Sequence, residues 1–309
     1  MSARNVLLPE VVPKRFRLKT VLLGHGFIDL APHRYTWGSD RFATTLSAAG
    51  FVVDVDVTQA GSGLRLDVSS RLDASARAAV RGAVRRMLRL DEDLSDFWRL
   101  CASEERMRWV ARRGAGRLLR SPTLFEDLVK LLFTTNCAWA NTRGMTARLV
   151  QALGERAPSG ARAFPSAERC AAAGEKVFRD RVRAGYRAPA LARLSREFAD
   201  RTPLARALED RALSTDELRS RLLDLPGFGP YAAGQALRLL GHYTDLALDS
   251  WCRSKLAELT GRRRPPSERA VERMYARFGP WRGLALWMDL TAKWHLARSA
   301  RDVRPLVLE

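Results

Sequence analysis

A ten-residue stretch, Leu225-Pro226-Gly227-Phe228-Gly229-Pro230-Tyr231-Ala232-Ala233-Gly234, and the lone carboxylate that follows it at Asp249 set the terms for this chain. Two glycines on either side of a hydrophobic residue allow a sharp turn and leave main-chain N–H groups facing outward with no side chain over them. The apolar spacing of Ala232, Ala233, Ala236, Leu237 and Leu240 has the helical period, so a helix starts at the turn with its positive end there. Such a loop is an anion seat, and it suits a phosphate of a nucleic-acid backbone. Leu246-Ala247-Leu248 then lead into a second helix that opens at Asp249.

At 309 residues, 46% of them hydrophobic, the chain is long enough for two domains or one large one and is not disordered. No apolar run approaches the roughly 20 residues that span a bilayer. Met1 to Lys19 lacks the apolar core of a signal peptide, which predicts a cytoplasmic, nucleoid-associated protein of bacterial type with no membrane partner. Cys101, Cys137, Cys170 and Cys252 stand singly, without the C-x-x-C spacing of metal or redox sites, and read as reduced structural thiols. The formal charge is +19, an excess that attracts polyanions in a salt-dependent way. Most of it is Arg, and part sits on solvated helix faces, as at Arg77, Arg81, Arg85 and Arg89.

Between residues 18 and 68 short apolar runs alternate with turn signals. They predict strands at Thr20–Leu23, His33–Trp37, Phe51–Val57 and Gly63–Val68, with Thr58–Ser62 as a hairpin turn. From Ala74 onward the period is helical. Ser121-Pro122 opens one helix, with Leu124, Leu128, Leu131 and Leu132 on a common face, and Ser166 caps another after Pro165. The expected organisation is mainly α: a small antiparallel α/β domain over residues 1–100 and a helical unit over residues 101–309. The loop-rich interval from Gly154 to Phe164 is a weaker boundary.

Together these residues resemble the helix-hairpin-helix DNA glycosylases, the superfamily of endonuclease III, adenine glycosylase, 3-methyladenine DNA glycosylase II and 8-oxoguanine glycosylase. Leu225 to Gly229 is similar to the family hairpin, and Asp249, 18 positions after Tyr231, falls where the family keeps its catalytic aspartate. Asn136 with Gly144-Met145, Phe164-Pro165-Ser166 and Gly185-Tyr186-Arg187-Ala188 resemble the 8-oxoguanine branch. Pro280-Trp281-Arg282-Gly283 with Trp287 is closer to the alkylpurine branch. The resemblance covers about Ala115 to Leu296 and implies a two-lobed helical unit with a DNA cleft between the lobes. Two departures qualify it. Bifunctional members carry a lysine where this chain has Tyr231, and a phenol cannot form the Schiff base that cuts the strand. Cluster-bearing members place four cysteines after the aspartate helix, and this chain has none beyond Cys252, so no iron–sulfur cluster or other cofactor is expected.

Base excision breaks the bond from C1′ to a ring nitrogen through an oxocarbenium-like state, and a fixed anion is what that state needs. Asp249 at a helix N-terminus would stabilise the developing charge or orient a water; read as an isolated residue it is an N-cap that shares the duty with Ser250, and its spacing from the hairpin with the family match favours the catalytic role. The target must be rotated out of the duplex. Asn136, by its match to the 8-oxoguanine branch, would fill the vacated stack; its plainer reading is a helix cap before Cys137. Tyr231 would stack on the flipped base, with Trp139 and Trp251 as further pocket candidates, whereas Trp281 and Trp287 read as core. Gly227, Phe228 and Gly229 would hold the DNA backbone through main-chain N–H groups, and Arg253 and Lys255 would contact phosphates or serve as unspecific surface. The four histidines show no ligand spacing and receive no chemistry. The resulting expectation is a monomeric, monofunctional glycosylase acting on damaged double-stranded DNA, with alkylated purines as the favoured lesion. Oxidised or deaminated bases, strand cutting through another lysine such as Lys255, and a non-catalytic lesion sensor stay open.

Overall fold

The alternation of residues 51–68 folds as the central hairpin of an antiparallel sheet. In the computed structural model, which describes residues 5–36, 40–48, 50–210 and 212–297, the strands are β1 (Asn5–Val11), β2 (Arg34–Tyr35), β3 (Arg41–Ala48), β4 (Phe51–Ala60) and β5 (Gly63–Val68). They lie in the order β1-β5-β4-β3-β2, every pair antiparallel, with Val57 opposite both Phe42 and Leu66. Val53, Val55, Val57, Leu64, Leu66 and Val68 are buried. They form one core with Leu18, Val21 and Leu22 of α1 (Leu18–Leu22) and Val80, Val84 and Met87 of α2 (Ala74–Leu88). Burying each such side chain stabilises by about 1.5–3 kcal/mol, which is how a sheet with one wet face holds together.

Several sequence expectations are corrected here. Thr20–Leu23 is not a strand: Thr20, Val21 and Leu22 belong to α1 and Leu23 is its C-cap, because Leu18, Val21 and Leu22 recur at i, i+3 and i+4 and that period buries all three. The His33–Trp37 strand shrinks to Arg34–Tyr35 paired with β3, and Trp37 lies outside the described residues. β1 and β3 were not anticipated; β3 buries Phe42, Thr44 and Leu46, and its small polar neighbours give little contrast. The turn between β4 and β5 is only Gly61-Ser62, since Ala60 pairs with Gly63.

The helical part continues through α3 (Ser95–Ser103), α4 (Arg108–Arg113), α5 (Leu124–Thr134), α6 (Trp139–Leu153), α7 (Ala167–Asp180), α8 (Ala188–Ala199) and α9 (Pro203–Glu209). It ends with α10 (Thr215–Leu223), α11 (Pro230–Leu240), α12 (Ser250–Leu259), α13 (Glu268–Tyr275), α14 (Arg282–Leu290) and α15 (Ala292–Leu296). Ser166 caps α7 as expected, but α5 is capped by Thr123, two residues past Ser121, whose side chain is buried instead. Among the described residues no helix is long and apolar enough to cross a membrane.

These helices share a second core, and the segment after α1 enters it through Leu23, Phe27 and Leu30. Three polar ties fix the sheet layer against the helices. The fully buried Lys130 of α5 bonds Glu126 at 2.6 Å and Ser121 Oγ at 3.2 Å, and lies 3.4 Å from His33 Nε2. Arg89, past the end of α2, donates to the carbonyl of Leu239 at 2.6 Å and to the Tyr243 hydroxyl at 2.7 Å, so it fastens the C-terminal end of α11. Trp287 of α14 donates to the Gly24 carbonyl at 2.8 Å.

Three histidines are buried in this packing, and each resists protonation. Burial first, then Arg238, pulls His25 down to about 3; burial and Arg113 pull His295 to about 3; burial and Lys130 hold His33 well below its ordinary value. The unfolded chain takes up these protons near 6.5 and the folded chain does not, so stability is fully present above pH 6.5 and is lost as the pH falls from there toward 3. The expected slope reaches about 1.4 kcal/mol per pH unit for each histidine. Urea midpoints that stayed flat between neutral and mildly acidic pH would contradict this.

Candidate active site

The glycine stretch joins α10 to α11 as a helix-hairpin-helix. Leu225 and Phe228 plug the turn into the core at 2% and 6% exposure, and the Phe228 N–H donates to the Leu225 carbonyl at 3.2 Å. Gly227 has φ +80, and a Cβ there would meet Leu132 Cδ1 at 2.7 Å, so no other residue fits without strain. Gly229 is the N-cap of α11 and offers no side-chain cap, with Pro230 following at the first helical position. The amides of Tyr231 and Ala232 therefore lack an intrahelical partner, and a Cβ at Gly229 would face open space. This end of α11 is thus uncapped, and the Phe228 N–H is engaged within the turn rather than free to donate.

The segment after α11 delivers Asp249, and its path is held from several sides. Arg238 of α11, 1% exposed, donates to the Leu246 carbonyl at 2.9 Å. Asp245 accepts from the Ala247 N–H at 2.5 Å and pairs with Arg219. Arg282 donates to the Thr244 carbonyl at 2.6 Å and the Gly283 N–H to the Tyr243 carbonyl at 2.7 Å. The approach of α14 is so close that a Cβ at Gly283 would lie 1.9 Å from the Asp245 carbonyl oxygen. Asp249 emerges as the N-cap of α12, its Oδ1 accepting from the Cys252 N–H at 2.7 Å. The carboxylate therefore stands at the N-terminus of α12 as its cap.

Asp249 and Tyr231 lie on the wall of a cleft of about 320 Å³, together with Trp139, Trp251, Trp287 and Trp294. The Trp251 and Trp287 rings are 6.3 Å apart, and Trp287 meets Trp294 edge-on at 6.0 Å. Trp139 is fixed by a hydrogen bond from its Nε1 to Asp29 at 3.0 Å. Burial, and then the charge of Asp249, raise the Tyr231 phenol well above its ordinary value, so it stays protonated. Burial and Asp249 likewise push the Cys252 thiol up to about 12, so it is an inert neighbour rather than a nucleophile.

Of the residues singled out in the sequence, Asp249, Tyr231, Trp139 and Trp251 share this cleft. Asn136 lies just outside it, exposed and with φ +44, in the turn before α6; the N-cap of that helix is Ala138, so Asn136 is not the cap. Its neighbour Thr135 is gripped by Tyr186 and Arg187, whose hydroxyl and guanidinium donate to the Thr135 carbonyl. Arg253 and Lys255 point elsewhere: Arg253 donates to the Pro266 carbonyl at 3.0 Å and Lys255 to Glu258 at 2.9 Å. Sequence reasoning missed His25, Phe27 and Gln235 on the cleft wall, and placed Trp287 in the core alone. His25 and Phe27 come from the N-terminal layer, over 200 residues from α11, and no local pattern marks such a contact.

The chain shares its fold with DNA glycosylases of known structure. No family model and no curated protein matches the sequence. Solved structures do: the 3-methyladenine DNA glycosylase from Archaeoglobus fulgidus superposes with TM-score 0.68 at 18% identity, over 96% of this chain and 99% of that one. The Clostridium acetobutylicum 8-oxoguanine glycosylase/lyase bound to DNA with cytosine opposite the lesion gives 0.70 at 16% identity, over 96% and 99%. The Schizosaccharomyces pombe 3-methyladenine DNA glycosylase in complex with abasic DNA gives 0.51 at 19% identity, over 66% of this chain and 98% of that one.

Proposed function

We propose that this chain is a monofunctional DNA glycosylase that rotates a damaged base out of a duplex and hydrolyses its N-glycosidic bond beside Asp249, acting as a monomer on alkylated purines. The observation that carries the reading is a carboxylate on the wall of a tryptophan-lined cleft, reached from the uncapped end of α11. That helix end would seat a phosphate next to the lesion, which positions the protein without choosing a sequence. Asn136, exposed beside the cleft, would occupy the space the base leaves. The flipped base would stack among Tyr231, Trp139 and Trp251.

As the C1′–N bond breaks, its electron pair leaves with the base, positive charge builds on the sugar, and Asp249 opposes that charge. A water then adds its oxygen to C1′ while its proton passes to the carboxylate and on to solvent. A cationic alkylpurine departs as a neutral ring and needs no proton. His25, held at about 3, is no general acid at neutral pH, which favours such a leaving group over a neutral oxidised base. The scheme uses no metal or cluster. Strand cutting needs an amine at the sugar; Tyr231 has none, and Lys255 is bonded to Glu258 away from the cleft.

The test is incubation with methylated DNA and with duplexes carrying single defined lesions, reading free bases by mass spectrometry. Release of methylated purines, strands that break only after alkali, and no borohydride-trapped adduct are expected. Exclusive release of an oxidised or deaminated base would overturn the lesion assignment, a trapped adduct the monofunctional one, and binding without any release the enzyme itself. Gly229→Val should fold normally, since its Cβ faces open space, yet weaken binding to damaged and undamaged duplexes alike by about tenfold. Unchanged affinity in a salt-matched titration would remove the phosphate seat from the account.

A further inference from the structure

Two polar side chains on the cleft wall, Gln235 and His25, have their acceptor atoms engaged by the protein, and for Gln235 the cause is a buried guanidinium. Gln235 of α11 lines the cleft at 3% exposure, and its Oε1 accepts from Arg238 Nη1 at 2.7 Å. A guanidinium has only donors, so it fixes which way the amide faces: the oxygen must turn toward Arg238 and the NH₂ must turn away. Arg238 is held in place, because its other Nη donates to the Leu246 carbonyl at 2.9 Å and its Cζ lies 5.1 Å from the centroid of the Trp287 ring.

His25 repeats the pattern. Its Nδ1 accepts from the Phe27 N–H at 3.4 Å, so in the neutral ring the proton is on Nε2. The ring is buried at 6% exposure and lines the same cleft. Both side chains have their acceptor atom engaged by the protein, so what either can offer a ligand is an N–H. The hydroxyls of Thr134 and Thr142, also on the wall, donate to the Leu131 and Phe133 carbonyls at 2.7 and 2.9 Å, and are left with lone pairs only.

We propose that Gln235, oriented by Arg238 and seconded by His25, is a specificity-determining residue that selects bases presenting a carbonyl oxygen, the 6-oxopurines, over 6-aminopurines. A 6-oxopurine such as 7-methylguanine offers O6 as an acceptor to the waiting N–H. The exocyclic amine of 3-methyladenine would set donor against donor in a buried site. A mismatch of that kind costs about ten- to a hundredfold in affinity. The inference rests on the glycosylase reading for its substrate, but its binding arm does not require catalysis.

Titration of the protein with free 7-methylguanine and free 3-methyladenine, read by quenching of the cleft tryptophans, tests it directly. The wild type should bind the oxo base at least about tenfold more tightly. Gln235→Glu, whose carboxylate still pairs with Arg238 but carries no donor, should erase or invert that preference. Gln235→Met, which removes both amide atoms, should lower affinity for the oxo base and leave the amino base nearly unaffected. The same ratio should appear in single-turnover excision once each rate is divided by the spontaneous depurination rate. Equal binding of the two bases, or a preference untouched in both variants, overturns the proposal even if bases are released. An oxo preference in binding without excision would sustain Gln235 and overturn the glycosylase reading instead, and failure of both bases to bind or be released would overturn both.

Discussion

Asp249→Asn should lower base excision by about a hundred- to a thousandfold while DNA binding and folding stay near wild type. The reasoning separates two roles held by one side chain. Asn caps a helix about as well as Asp, so the bond from the Cys252 N–H to position 249 survives and α12 keeps its first turn. What disappears is the negative charge opposite the developing cation. Asp249→Ala would remove both and cost about 1 kcal/mol of stability in addition. Single-turnover excision alongside urea unfolding distinguishes the two variants; an Asn variant that turned over normally would leave Asp249 as a cap alone.

Gly283→Ala should destabilise the fold by about 2–4 kcal/mol, a large effect for one methyl group. The added carbon would lie 1.9 Å from the Asp245 carbonyl oxygen and 2.8 Å from that of Tyr243. Both neighbours are main chain and cannot rotate away. The segment from Tyr243 to Asp249 or α14 has to shift, and a displacement of about 1 Å at the carboxylate would slow excision by roughly a hundredfold in any folded fraction. Wild-type unfolding midpoints in this variant would mean that the loop is not clamped as described.

What the sequence reveals about this site depends on how local the signal is. The hairpin is legible because Gly227 and Gly229 mark a turn within a few residues, and Asp249 because the family resemblance marks its position after that hairpin. Trp287 is harder: at 8% exposure it is a core residue, as its apolar helix implies, and yet one face of the ring borders the cleft. Periodicity reports burial, not what lies on each side of a buried ring. Gln235 looks like a polar interruption of an apolar helix face until Arg238, one turn on, is seen to hold its oxygen. His25 and Phe27 reach the cleft only because the segment after α1 packs into the helical core, a contact that no spacing rule encodes. In the sheet layer, Thr20 and Val21 carry strand propensity, but burial of Leu18 and Leu22 on one side decides for a helix.

The central claim, a fixed anion at the position where C1′ becomes cationic, is tested most directly with a duplex whose target sugar is replaced by a pyrrolidine, positively charged at that position, compared with a neutral tetrahydrofuran. The wild type should hold the charged analogue at least about a hundredfold more tightly than the neutral one. Asp249→Asn should bind the two alike. Equal affinity of the wild-type protein for both duplexes would contradict the account.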